Sequence, residues 1–367
     1  MFIETINKDE LLKPLQVVVG IVERKQPLPI LSNVLIEKNN SYIRFIATDL
    51  EIQISTQKAL ESNSDATSIT VSAKKLQEIL RILPDESKVS LDLKEHKLLI
   101  KSNKSRFSLQ TLPAQDFPLV SDQLENVSKI NLKQGLLKKL LALVQYAMAQ
   151  QDIRYYLNGV LLLIENKTIR LIATDGHRLA YASSSLDDDY SKHEVILSRK
   201  TVNELSKLLS DSDEVISLEL AEKQVRLAFT DVVLTSKVID GKFPDFERVI
   251  PSYTNHLILD RITILQALQR AAILSNEKFR GVRFVLTENN LKIISSNSEQ
   301  EEAQDEIEID YSGPSLDIGF NVNYLLDGLL NTPSQTVTFS FGDPNSSILI
   351  TVPGEDEFKY VVMPMRI

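Results

Sequence analysis

A segment that recurs at near-constant spacing leaves a chain few options, because one supersecondary unit must then be built several times over. Ile46-Ala47-Thr48-Asp49, which follows a strand-like run from Val34, returns as Ile172-Ala173-Thr174-Asp175 after Val160, a shift of 126 residues. A looser third copy places Ser296-Asn297 after Val282 and Ile293-Ile294. Asn33-Val34, Asn158-Gly159-Val160 and Arg280-Gly281-Val282 occupy equivalent places. One third of 367 residues is about 122, so three copies span the chain. A unit of that length is a domain rather than a solenoid turn, and the 43% hydrophobic content suffices for three cores.

Each copy opens with a helix-like segment, at 9–22, 132–148 and 262–274. In the first, Leu11, Leu12, Leu15, Val18, Val19 and Val22 recur on one face, although Pro14 is ill suited to a helix interior. Strand-like runs follow at 43–46, 168–172 and 291–294, then shorter helices at 73–83, 199–209 and 323–330. Alternating strands complete each copy: 88–93 with 98–102, 215–220 with 224–229, and 336–341 with 347–352. The reading is an α+β fold of three tandem domains, each of two helices packed on two small antiparallel sheets. Asp116-Phe117-Pro118 and Lys242-Phe243-Pro244 close the first two copies, which sets the domains at 1–125, 126–253 and 254–367.

Zero cysteines exclude disulfides and thiolate chemistry, and four scattered histidines make a metal site or other cofactor unexpected. No apolar run reaches the ~18 residues of a membrane span, and Met1-Phe2-Ile3-Glu4 lacks a signal-peptide pattern, so a cytoplasmic protein with no membrane partner is expected. The net charge of −9 argues against nucleic acid until it is mapped. Five of the six helical segments are net basic, 321–331 being the exception, and the remainder is correspondingly more acidic. Helix propensity favours Glu as much as Lys, so it predicts no such bias. If the helices share a side, that side attracts a polyanion.

Two segments break the repeat, and a third stands out by its charge. After Thr-Asp the first copy continues Leu50-Glu51, whereas the second continues Gly176-His177-Arg178-Leu179. A hairpin turn explains Thr174-Asp175-Gly176 but not His177 and Arg178. An acid–base pair of Asp175 and His177 is the catalytic alternative, and no nucleophile, metal cluster or phosphate loop accompanies it. The acidic tract Glu299, Glu301, Glu302, Asp305, Glu306 and Glu308 reads as a solvated edge strand or as a docking patch complementary to Lys75, Lys104 and Arg106. A contact between the third unit of one copy and the first of another is head-to-tail, and two chains could close it. Finally, Tyr360 to Val362 suits a last strand, while Met363-Pro364-Met365 offers adaptable apolar surface for peptides.

At these residues the chain resembles, over its full length, the bacterial DNA sliding clamps, the beta subunits of DNA polymerase III. The resemblance is carried by Leu28-Pro29-Ile30-Leu31, Arg154-Tyr155-Tyr156-Leu157-Asn158-Gly159, Ala173-Thr174-Asp175-Gly176-His177-Arg178-Leu179-Ala180, Phe243-Pro244-Asp245-Phe246, Leu274-Ser275-Asn276-Glu277-Lys278-Phe279-Arg280-Gly281 and Tyr360-Val361-Val362-Met363-Pro364-Met365-Arg366. It implies a non-catalytic processivity factor: a head-to-tail homodimeric ring of six domains around double-stranded DNA, helices inward. The implied partners are the polymerase III catalytic subunit, the clamp loader, and other polymerases and repair proteins, all bound through short peptide motifs.

The same resemblance assigns DNA contact to Arg24, Lys25, Gln151, Tyr155, Tyr156 and Lys200, through phosphate without base reading. It assigns a peptide groove to Leu157, Thr174, Gly176, His177, Arg178, Leu179, Pro244, Arg248, Val249, Asn321, Tyr324, Ser347, Val361, Met363, Pro364, Met365 and Arg366, with Phe279 at its edge. At the dimer interface it pairs Phe107 and Leu109 with Ile273 and Leu274, flanked by Lys75, Lys104 and Arg106 and by Glu299, Glu301, Glu302 and Asp305. The competing classes are a metabolic hydrolase or isomerase using Asp175 and His177, and a protein scaffold that binds no DNA.

Overall fold

The six α-helices of the described residues begin where a side chain can satisfy their first free N–H groups or where a strand ends against them. They are α1 (Lys8–Val19), α2 (Ala73–Ile82), α3 (Gln134–Val144), α4 (Arg199–Leu208), α5 (Arg261–Ala272) and α6 (Val322–Asn331). Asn7, Asp260 and Asn321 cap α1, α5 and α6 by accepting from the N–H groups of Asp9, Thr263 and Asn323. The computed structural model describes residues 3–23, 28–60, 66–120 and 127–367. Arg24 and Lys25 lie outside the described residues. Pro14 sits inside α1, whose assigned span continues past it to Val19, with its carbonyl accepting from Thr56 Oγ1 at 3.2 Å.

The chain forms two compact units, Met1–Gly135 with Asn203–Val238, and Leu136–Val202 with Ile239–Ile367. This partition is not that of the repeat, because the second copy is divided between them. The physical reason is strand pairing across copies. In the first unit Ile52–Ala59 of the first copy pairs antiparallel with Val232–Ile239 of the second, in the register Ile54↔Leu234. In the second unit Arg178–Ser198 of the second copy pairs with Glu355–Val362 of the third, in the register Ala180↔Tyr360.

Within the first unit α1 packs on α2, burying Leu11, Leu15 and Val18 with Leu76 and Leu80. The buried Lys8 ammonium locks the two together by donating to Leu83 O at 2.7 Å and to Asp85 at 2.9 Å. Charges of α2 stand on its outer face, where Lys75 and Arg81 are exposed. Within the second unit α5 packs on α6. Behind them lies a four-stranded antiparallel sheet in the order Glu302–Glu308, Asn290–Ser296, Gly281–Thr287, Leu316–Asn321. The acidic tract is therefore an edge strand, pairing only with Asn290–Ser296 among the described residues.

The other dominant feature of the second unit is a hairpin, Gly159–Thr174 with Arg178–Ser198, longer than the periodicity of the sequence indicates. Its tight end, Thr174 to Arg178, faces the carboxyl-terminal strand and forms the frame of the site.

Candidate functional site

The turn at the end of this hairpin is built by two side chains. Thr174 Oγ1 donates to Arg178 O at 2.6 Å and accepts from Gly176 N at 3.1 Å. Asp175 Oδ1 accepts from the N–H groups of His177 and Arg178, at 2.9 and 3.0 Å. Gly176 has φ +89°, and the Arg154 guanidinium lies 3.0 Å from where a Cβ would stand, so glycine suits both the backbone and the approach. The first copy makes the same turn: Thr48 Oγ1 donates to Ile52 O at 2.9 Å, Asp49 Oδ1 accepts from Glu51 and Ile52, and Leu50 takes φ 79°. Since that copy turns without a His-Arg pair, the turn does not account for His177 and Arg178. Asp175 is fully engaged with backbone and Arg178, not with the His177 ring, which removes the geometry an acid–base pair would need.

Arg178 is the most constrained side chain of the region, with 9% of it exposed. Its Nε donates to Asp175 Oδ2 at 3.1 Å, Nη1 to Asp327 Oδ2 at 2.5 Å and Nη2 to Tyr146 O at 2.8 Å. The guanidinium carbon also stands 4.6 Å from the Tyr324 ring centroid and 5.8 Å from that of Tyr146. Burial disfavours its charge, but Tyr360, Asp327 and Asp175 outweigh that and hold its pKa above the ordinary value. Burial pushes the Tyr360 hydroxyl well up, and that hydroxyl donates to Tyr324 O at 2.8 Å. Gly328 in α6 makes room for the Tyr360 ring, which would stand 2.4 Å from a Cβ there.

Above this layer opens a cavity of about 270 Å³. Leu157, Leu179, Phe243, Pro244, Phe246, Val249, Val361, Met363 and Tyr156 give it an apolar lining, and Arg154, Thr174, Gly176, His177 and Arg178 border it. Leu179, Phe243, Phe246 and Val361 belong to the buried cluster beneath, so the floor is rigid core, while Val249 and Met363 are 45% and 47% exposed and form the rim. An apolar concavity with a few fixed polar groups suits an extended peptide with apolar side chains.

The carboxyl terminus is fixed along one side. Met363 N donates to His177 O at 2.9 Å and Met365 N to Gly319 O at 2.8 Å. Ile367 rests on Gly281 and Gly319, where added Cβ atoms would meet it at 3.2 and 2.7 Å. The last residues thus extend the free edge of the four-stranded sheet, and Pro364, without a donor, falls between the two bonds.

Ten of the residues assigned to a groove meet in this cavity. Tyr324 is one layer away, stacked on the His177 ring with centroids 6.4 Å apart. Asn321 caps α6, Ser347 O accepts from Tyr253, Arg248 pairs with Asp245 at 2.8 Å, and Phe279 is 57% exposed beneath Lys278. Pro364, Met365 and Arg366 follow the rim without lining the cavity. Sequence reasoning assigned Arg154, Phe243 and Phe246 no place in the groove and gave Tyr156 to DNA. The recurrence of Phe-Pro at 117–118 and 243–244 was the available signal.

The loop bearing Gln151 and Tyr155 is held by Asn158, whose side chain bonds the N–H and carbonyl of Asp152 at 3.0 and 2.9 Å. Arg199 donates to Met148 O at 2.8 Å, tying the start of α4, and so Lys200, to that loop. Tyr155 is 57% exposed and edge-on to Tyr156. Arg154 pairs with Asp152 and lowers its carboxyl pKa to about 2.

Phe107 and Leu109 lie half-buried on one face of Ser105–Leu112, an edge strand over most of its length, with Lys104 and Arg106 exposed. Ile273 is 76% exposed after α5, beside Leu274. Glu299, Glu301 and Glu302 are exposed, but Asp305 is already paired with Arg270 at 2.5 Å.

Comparison with known proteins decides the family. The N-terminal, central and C-terminal domains of the DNA polymerase III beta subunit match residues 1–121, 131–245 and 247–366. The chain is 46% identical to the beta sliding clamp of Pseudomonas putida over 365 residues, 99% of each chain. This chain belongs to the beta sliding clamp family. The crystal structure of the DNA polymerase III subunit beta from Pseudomonas aeruginosa superposes with a TM-score of 0.96 at 43% identity, covering 99% of this chain and 100% of that one. A P. aeruginosa clamp bound to griselimycin gives 0.95 at 43% identity, covering 99% of both chains. The α+β architecture of three tandem clamp domains follows from membership, and clamps of this family are non-catalytic. No helix among the described residues is long and apolar enough to cross a membrane.

Proposed function

We propose that this chain is the processivity clamp of its cell's replicative polymerase. Two copies close head to tail into a ring around double-stranded DNA and tether polymerases, the clamp loader and repair proteins by short peptides. The observation that carries the tether is the apolar cavity rimmed by Met363 and Val249. Retention on DNA is topological, so a few phosphate contacts from Gln151, Tyr155, Tyr156 and Lys200, together with Arg24 and Lys25, suffice.

The domains are read as 1–125, 126–253 and 254–367, and the dimer as a meeting of Ser105–Leu112 of one chain with Glu302–Glu308 of the other. Two features support that pairing: among the described residues Glu302–Glu308 has one unpaired edge and Ser105–Leu112 has one over most of its length, and one is flanked by Lys104 and Arg106 while the other is acidic. A clamp of this kind works in the cytoplasm.

Loading onto nicked circular DNA followed by linearisation tests the mechanism. The ring should stay on the circle and run off the linear form, and equal retention on both would sink the topological account.

A further inference from the structure

We propose that Asp327 is a positioning residue of the peptide groove, acting through Arg178. This rests on reading the cavity as the peptide site. Arg178 borders the cavity, yet each of its three nitrogens is engaged inside the protein, with Asp175, Asp327 and Tyr146 O. Three of its five N–H donors are thereby committed to the protein, and the guanidinium is held in one orientation.

What the pairing does is join two elements from different copies of the repeat. Arg178 begins a strand of the second copy, and Asp327 sits in α6 of the third. Their contact holds Tyr324, one turn before Asp327, against the guanidinium face at 4.6 Å. Tyr324 in turn stacks on His177, which borders the cavity and whose carbonyl anchors Met363. The wall that a peptide would meet is therefore set by a carboxylate that lines none of it.

A direct-contact role and a positioning role make different predictions for removing Asp327. If Arg178 bound the peptide itself, truncating Asp327 would leave it free to do so, and affinity would hold or rise. If the pair positions the wall, losing either partner removes the same link between α6 and the hairpin turn and frees Tyr324 from the guanidinium face. The two losses then overlap instead of adding.

The experiment is a calorimetric titration of the full-length dimer with griselimycin, for the parent, Arg178→Ala, Asp327→Ala, the double variant, Asp327→Asn and Asp327→Glu. Melting temperature and mass in solution are recorded for each, and Asp327→Asn covers the case in which the alanine variant fails to fold. The expected result is a loss of about tenfold for Asp327→Ala. The double variant should be no weaker than Arg178→Ala, and Asp327→Glu should recover part of the affinity. Parent-like affinity in folded Asp327→Ala and Asp327→Asn, or losses that add in the double variant, would overturn the proposal. Val249→Asp, on the cavity rim, separates the two readings. If it loses griselimycin while the Asp327 variants keep it, only the positioning role fails; if it binds like the parent, the groove reading fails and takes this proposal with it.

Discussion

The backbone N–H of Met363 donates to the carbonyl of His177 at 2.9 Å, so Met363 and the turn of the central hairpin form one wall of the cavity. Removing Met363 to Ile367 should abolish partner-peptide binding while the mass in solution stays that of a dimer, because the strand Glu355–Val362 keeps its partners on both sides. Loss of the dimer together with binding would make the tail a structural element instead.

Gly319 is a second support of that wall. A Cβ there would stand 2.5 Å from Met365 O, a contact with backbone that no rotamer change relieves. Gly319→Ala should displace the tail, lower stability by about 1–3 kcal/mol and weaken partner-peptide binding. Unchanged melting temperature and affinity would show that the tail does not press on the sheet as described.

Asp152 offers a pH test. Its hydrogen bonds with Arg154 lower its pKa to about 2 from an ordinary 3.8. A depressed carboxylate contributes its stabilisation fully above the unfolded value and loses it as pH falls through the folded one, so the Asp152–Arg154 contact should persist at pH 4 and be lost near pH 2. A carboxyl carbon resonance of Asp152 with a midpoint near 4 would contradict the pairing.

Ile273 is an apolar side chain 76% exposed on a single chain. Placed at a dimer interface, Ile273→Asp should halve the mass measured by light scattering without altering the melting of the monomer's own core. A variant that stays dimeric would move the interface elsewhere.

The Tyr146 hydroxyl is buried and reaches no hydrogen-bond partner among the described residues, and burial raises its pKa well above the ordinary value. Tyr146→Phe removes that polar atom while keeping the ring against Tyr360 and the carbonyl that Arg178 uses. Thermal melts should show no loss of stability, or a gain of about 1 kcal/mol. A loss larger than that would mean the hydroxyl has a stabilising role.

Much of the fold was legible because its signals are local. The three copies, their two helices each and the paired strands at 88–102, 215–229 and 336–352 follow from period and turn chemistry, and the observed elements fall close to those spans. The Thr-Asp turn was readable for the same reason, since both side chains bond within four residues of themselves. The pairing of Ile54 with Leu234 and of Ala180 with Tyr360 was not, because register between residues some 180 positions apart leaves no periodic trace. Arg178 was marked by its departure from the first copy of the repeat and placed in the groove by the family resemblance. That its guanidinium turns inward depends on Asp327 and Tyr146, which no local pattern connects to it.

The two strand pairings that cross from one copy to the next, each of five residue pairs, act as sutures. A polypeptide so stitched cannot part between its repeats without breaking a sheet ladder. Force or thermal agitation that would pull one repeat from the next must therefore first unzip five residue pairs at a ladder, so neighbouring copies are expected to melt together rather than one at a time.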